Sequence, residues 1–227
     1  MAVSFPRLMA AGLVSSLALV ACSGATRAPT RAGVEPGAGD RAILTPAAQA
    51  RADSGRPPYT AADVRFMSGM VPHHAQALLM AGWAPTHGAS PAVRILSERM
   101  VVGQRDEIAF MQRWLRERRE PVPDADASHY MMPGMDHPRL MPGMLTAEQL
   151  TQLERARGPE FDRLFLTFMI QHHEGAIIMV EQLFSAHGAA QDHDVFRFAS
   201  DLNADQTTEM DRMRTMLAAL PSGGRSP

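Results

Sequence analysis

The sequence predicts an all-α protein, a four-helix bundle built from a duplicated helical hairpin with a methionine-rich linker between its halves. Four long segments carry helix start and stop signals, and no segment alternates apolar and polar residues for long enough to predict a strand. The stretch Met70–Met80 (MVPHHAQALLM) recurs 99 residues later as Met169–Met179 (MIQHHEGAIIM). The helix after each copy repeats Q-x-x-E, with Met and then Leu at four-residue intervals. A duplicated hairpin packs most naturally as a bundle.

The first two helices are predicted for residues 61–86 and 91–119. Thr60 and Asp63 have the spacing of a capping box, which marks the start of the first helix. Ser90 followed by Pro91 places an N-cap and a proline at the start of the second helix, which ends at EPVPD.

The second half begins with a short helix from Thr146, where TAEQ is another capping box, to before Gly158. A long helix follows at 159–187, with Gly188 as its expected C-cap. The last helix is predicted for 194–220 and stops at PSGG.

The N-terminus has the pattern of a bacterial lipoprotein. Residues 1–21 have a basic residue, a short apolar run and small residues before Cys22, the only cysteine. We therefore expect a signal peptide at 1–21, lipidation of Cys22, a flexible tether at 22–58 and the bundle at 59–221. Within the bundle, repeat one is 59–120, the linker 121–145 and repeat two 146–221. An ordinary secretory signal is the alternative, and both place the protein outside the cytoplasm.

The paired histidines and their flanking methionines share one helix face. At about 100° per residue, each set falls within an arc of roughly 140°. Thioether sulfur and imidazole nitrogen together are ligands for a soft metal, whereas a methionine-rich core with polar passengers is the alternative. Pro72 should kink the first helix beside His73. The candidate metal ligands are Met70, His73, His74, Met80, Met169, His172, His173 and Met179.

The second helix of each hairpin carries polar residues on its apolar stripe. A buried carboxylate needs a partner, so we expect Glu107 and Glu209 to meet the histidines, as direct ligands or as groups that orient the imidazoles. The full candidate set here is Gln104, Glu107, Met111, Gln206, Glu209 and Met213.

The linker contains two copies of MPGM and is a second candidate site. Thioethers suit Cu(I), and a Pro/Gly-rich loop has no apolar stripe for them to fill, although methionines packed under the helices are the alternative. Its candidate ligands are His129, Met131, Met132, Met135, His137, Met141 and Met144. His87, His187 and His193 lie at predicted helix ends and are interpreted as caps or surface groups.

Other functions lack support in the sequence. The net charge is −2, which does not favour nucleic acid as a partner. No nucleophile–base arrangement or phosphate-binding loop is present, so hydrolase and nucleotide chemistry are not indicated.

The paired M-x-x-HH-x-x-A segments, each followed by a Q-x-x-E helix, resemble the bacterial domain-of-unknown-function family 305 over residues 59–220. The resemblance implies a ferritin-like four-helix bundle and, as in some members, an envelope protein that binds copper through Met and His. It carries over to the eight residues of the two histidine segments.

Three functions follow as hypotheses. The leading one is a non-enzymatic role, that of a lipid-anchored envelope protein that sequesters or delivers copper, as Cu(I) or Cu(II), with zinc as another possible metal. The second is a ferritin-like di-metal oxidase, although the Glu-x-x-His pattern of such proteins is missing. The third is a metal-free helical scaffold or interaction module. The lipid would be the only membrane attachment, and no protein partner is indicated.

Overall fold

A computed structural model describes Gly55, residues 58–126 and residues 141–221. These residues form five α-helices and no strand, which confirms the all-α prediction. None of the described helices is both long and apolar enough to cross a membrane.

Several predictions fall outside the described residues. They concern the signal peptide, most of the tether, Cys22, His129, Met131, Met132, Met135 and His137.

The helices are α1 (Ala61–Gly82), α2 (Pro91–Glu117), α3 (Ala147–Arg155), α4 (Pro159–Ser185) and α5 (His193–Ala219). Their starts agree with the predictions to within a residue, and all except α4 begin with a side-chain cap. The prediction that the first helix reaches Thr86 is wrong: after Gly82 the chain continues in turns, and the amide of Trp83 bonds back to the carbonyl of Met80. No break appears at Pro72, which lies inside one continuous α1.

The expected N-caps are present. Thr60 and Asp63 form a complete capping box at α1, the Ser90 side chain accepts from the amide of Val93 at α2, and Thr146 with Gln149 caps α3. The expected C-cap at Gly188 is wrong, since α4 ends at Ser185 and the next residue is extended. Gly188 lies in the following turn with a φ of 74°.

Two hairpins pair through their first long helices: α1 packs along α2, α4 along α5, and α1 against α4. The core has two apolar clusters. The Phe161 cluster contains Met80 and Met169, and the Phe66 cluster contains Met70 and Met179. Since the early methionine of α1 shares a cluster with the late methionine of α4, the two helices run antiparallel.

The end of the linker is pressed onto α1 and α4. The Gln76 side chain donates to the carbonyl of Leu145 and accepts from its amide. Gly175 lies against Pro142 and Gly143 so closely that a Cβ at Gly175 would be 2.5 Å from Gly143 Cα. We call residues 141–145 the strap. Its position requires the amide side chain of Gln76 on α1 and the absence of a side chain at Gly175 on α4.

Candidate functional site

Four histidines form a buried layer between the two apolar clusters. His73, His74, His172 and His173 are each at most 1% exposed. Along α1 and along α4, the pair lies between residues of the Phe66 cluster and residues of the Phe161 cluster. The antiparallel packing of the two helices brings both pairs to the same level. We call these residues the histidine layer.

His73 and His172 meet at the centre of this layer. Their ring centroids are 3.9 Å apart, with the planes inclined by 41°. His172 Nε2 lies 2.9 Å from the carbonyl oxygen of His73, and His73 Nε2 lies 3.0 Å from the carbonyl oxygen of Pro142. A carbonyl only accepts, so both Nε2 atoms carry hydrogen and donate.

His74 and His173 each meet a carboxylate from the neighbouring helix. His74 Nε2 lies 2.6 Å from Glu107 Oε2, and His173 Nε2 lies 2.8 Å from Glu209 Oε2. These are the partners that the sequence suggests for the two acids. The side chains of Glu107 and Glu209 are 23% and 32% exposed. The helical stripe predicted that they are buried, but they lie at the edge of the core.

The other ring nitrogen is left without a partner in all four histidines. Each Nδ1 atom is buried and makes no hydrogen bond to any residue that the structure describes. A buried polar atom without a partner is costly and needs an explanation. A metal-ligating histidine typically donates its second ring N–H to a carboxylate or a carbonyl, as these four residues do through Nε2.

Burial keeps the two central rings neutral. Burial, together with the neighbouring His74, lowers the pKa of His73 to about 3. Burial likewise lowers the pKa of His172 well below its ordinary value, with His73 and His173 adding to the effect. A neutral imidazole that donates through Nε2 has its lone pair on Nδ1, which is the form that ligates metals.

The candidate methionines lie in the apolar clusters on either side of the layer. Met70 and Met80 are fully buried on α1, and Met169 and Met179 are buried on α4. Met111 joins the Phe66 cluster. Met213 belongs to the Phe161 cluster, Met144 is buried in the strap, and Met141 packs against the Phe66 cluster.

Among the described residues, no three His, Cys, Asp or Glu side chains are grouped so that they could hold a metal ion. The four histidines therefore do not form such a group by themselves, and each half of the layer offers a pair of imidazoles with buried methionines in the clusters on either side.

Gln104 and Gln206 are repeat equivalents that are buried but poorly partnered. Both are 3% exposed. Within the described part of the chain, neither polar side-chain atom of Gln104 has a hydrogen-bond partner, and Gln206 Oε1 has none. They line a cavity of about 300 Å³ between α2 and α5, together with Glu107 and Glu209. Asp205 also lines it, and nothing in its sequence context distinguishes it from other surface acids.

Sequence reasoning missed two other residues. The first is Pro142, whose carbonyl is the partner of His73. The repeated MPGM motif singles out this segment of the sequence, but as a candidate metal-binding loop and not as a strap. His87, interpreted as a cap or surface group, is buried; its Nδ1 pairs with Thr86 Oγ1 and its Nε2 donates to the carbonyl of Glu154. It is a structural histidine with both nitrogens satisfied.

The described residues form an all-helical fold with paired buried histidines on two facing helices. Comparison with known families identifies the class of small helical proteins to which this arrangement belongs. Residues 63–217 match the family described as Domain of unknown function (DUF305). The chain therefore belongs to the DUF305 family.

Solved structures share this fold. A DUF305 fragment from Deinococcus radiodurans is 28% identical with a TM-score of 0.60, covering 72% of this chain and 100% of its own. A DUF305 protein from Streptomyces coelicolor, described by name as a secreted protein, is 25% identical with a TM-score of 0.59, covering 72% and 98%. CopM in its Cu(II)-bound form is 28% identical with a TM-score of 0.55, covering 69% and 95%. CopM has also been solved in a Cu(I)-bound form.

A curated relative matches more locally. Uncharacterized protein L153 of Acanthamoeba polyphaga mimivirus is 32% identical over 57 residues. The match covers 25% of this chain and spans 38% of the length of that relative.

Proposed function

We propose that this protein binds copper through the imidazoles of the histidine layer and the thioethers beside it, for sequestration or delivery in the cell envelope. The observation that carries the proposal is the state of the four imidazoles. Each is buried and oriented by an oxygen at Nε2, and each leaves Nδ1 without a partner. The related CopM, which has been solved with copper in two oxidation states, supports the choice of metal.

The ligand chemistry favours a soft ion. Thioethers select Cu(I), and imidazole accepts copper in either oxidation state. Methionines border the layer on both sides, from Met70 and Met179 in the Phe66 cluster to Met80 and Met169 in the Phe161 cluster. Glu107 and Glu209 act as the groups that orient His74 and His173, because Oε2 of each acid accepts from Nε2 of its histidine.

The proposed architecture is a four-helix bundle at residues 59–221, made of two hairpins with equivalent histidine pairs. The proposed location is the outer face of a membrane, where a lipid on Cys22 and the tether at 22–58 hold the bundle after removal of residues 1–21. The small residues before Cys22 support this, and so does the family member that is described by name as secreted.

The test is a competitive titration of the full-length protein with Cu(I), Cu(II) and Zn(II) against chelators of known affinity. One variant carries alanine at His73, His74, His172 and His173. The matched control is His87→Ala, which removes a buried imidazole whose nitrogens are both satisfied. Loss of tight copper binding in the first variant and its retention in the second are expected.

Two outcomes would contradict this site. Copper binding that survives the fourfold substitution would move the metal to the linker, and leucine at Met131, Met132, Met135, Met141 and Met144 should then abolish it. Absence of copper binding in the unaltered protein, with the fourfold variant only less stable, would favour the metal-free scaffold.

A further inference from the structure

The cavity between α2 and α5 has a lining rich in oxygen. Three carboxylates line it, from Glu107, Asp205 and Glu209, against one guanidinium, from Arg99. The other lining residues are Met100, Gly103, Gln104, Gln206 and Thr208. This set contains no histidine and one thioether, so its chemistry differs from that of the histidine layer.

The two glutamines provide an independent sign of a guest. Gln104 is 3% exposed, and neither its Nε2 nor its Oε1 has a partner among residues 58–126 and 141–221. The same holds for Oε1 of the equally buried Gln206. An amide buried without hydrogen bonds is unfavourable, and both amides line the cavity. A polar occupant would satisfy them.

We propose that this cavity binds a hydrated divalent cation through oxygen ligands. The cavity volume of about 300 Å³ is far above the roughly 10–15 Å³ that one water molecule needs, so it has room for a cation with its inner water shell. Carboxylate and amide oxygens suit hard cations, which keep several waters and bind through one or two carboxylates. No three acids in the described residues are close enough to hold a bare ion, so bridging waters complete the contacts.

Electrostatics favour such an occupant. Glu107, Asp205 and Glu209 line the same cavity, and their like charges repel one another. A cation among them relieves this repulsion. The cavity shares Glu107 and Glu209 with the histidine layer, where each accepts through Oε2 from a histidine, whereas Asp205 and the two glutamines belong to the cavity alone.

Mn(II) is a suitable probe, because it prefers oxygen ligands and its free and bound forms are distinguished by electron paramagnetic resonance. We expect one saturable site in the full-length protein, with paramagnetic broadening of the amide signals of Gly103 and Thr208. Asp205→Asn should weaken Mn(II) binding about threefold or more, as expected for loss of one partly solvated charge. The matched control is Asp211→Asn, on the same helix but outside the cavity, with a side chain that is 70% exposed.

A second variant separates a cation site from a water-filled gap. Gln104→Leu removes the amide with little change in volume and should weaken Mn(II) binding without lowering Tm. Equal weakening by Asp205→Asn and Asp211→Asn, or broadening spread over the whole surface, would overturn the proposal. So would unchanged Mn(II) binding by the Gln104→Leu variant.

Discussion

His172 donates from Nε2 to the backbone carbonyl of His73, its equivalent in the other repeat, and the two rings lie 3.9 Å apart between centroids. The contact is not reciprocal, because His73 Nε2 turns to the carbonyl of Pro142 in the strap. The strap thus makes the two halves of the layer inequivalent. One central histidine is held by the opposite helix, and the other by the linker.

The first prediction concerns the pH dependence of stability of the metal-free protein. His73 and His172 have lowered pKa values in the folded state, whereas both titrate near 6.5 when unfolded. As the pH falls below about 6.5, His73 and His172 take up protons in the unfolded chain but stay neutral in the folded protein. The free energy of unfolding should therefore decrease, by up to about 1.4 kcal/mol per pH unit for each imidazole.

Urea unfolding followed by circular dichroism between pH 8 and pH 5 measures this slope. The double variant His73→Gln and His172→Gln keeps an amide donor for each carbonyl and should flatten it. A slope that persists in the double variant would assign the titration to other groups.

Capping and periodicity explain why the fold was predictable and parts of the site were not. Thr60 and Ser90 mark helix starts through contacts within three residues, so sequence alone locates them. The partner of His73 lies 69 residues away on the strap, and no local pattern encodes such a contact. The two repeats differ at Ala75–Gln76 and Glu174–Gly175. Yet Gln76 and Gly175 both hold the strap, by hydrogen bonds in one repeat and by close backbone approach in the other.

The second prediction tests the strap. Gly175→Ala places a Cβ against the Pro142 carbonyl and 2.5 Å from Gly143 Cα, both backbone atoms that cannot rotate away. We expect a loss of about 1–3 kcal/mol in the free energy of unfolding, as for overpacking in a tight interior. Gly103→Ala is the control, since it lies in a helix with nothing within 4 Å of its Cβ position. It should stabilise the protein by about 0.5–1 kcal/mol. Equal effects of the two substitutions would mean that the strap is not packed as described.

The third prediction concerns the acids that orient the outer histidines. Glu107→Gln and Glu209→Gln replace a charged acceptor of the histidine N–H by a neutral amide. If His74 and His173 ligate copper, each change should lower copper affinity about 10- to 100-fold. Glu174→Gln is the control, because Glu174 adjoins His173 in sequence but pairs with Arg214 at the surface. Chelator competition measures all three, and unchanged affinity in the first two variants would remove the acids from the site.

The fourth prediction separates methionine as ligand from methionine as core side chain. Four candidate ligands are buried in the apolar clusters: Met70, Met80, Met169 and Met179. A role in core packing alone would explain their positions. Leucine has a similar volume, and each Met→Leu change should cost less than about 1.5 kcal/mol of unfolding free energy. As ligands, the same residues should lose affinity for Cu(I) on substitution while binding of Cu(II), which relies on imidazole, changes less. Met210→Leu is the control, since this methionine lies in the Phe161 cluster but outside the paired-histidine segments. Cu(I) affinity that survives leucine at all four positions would leave copper to the imidazoles alone and return these methionines to the core.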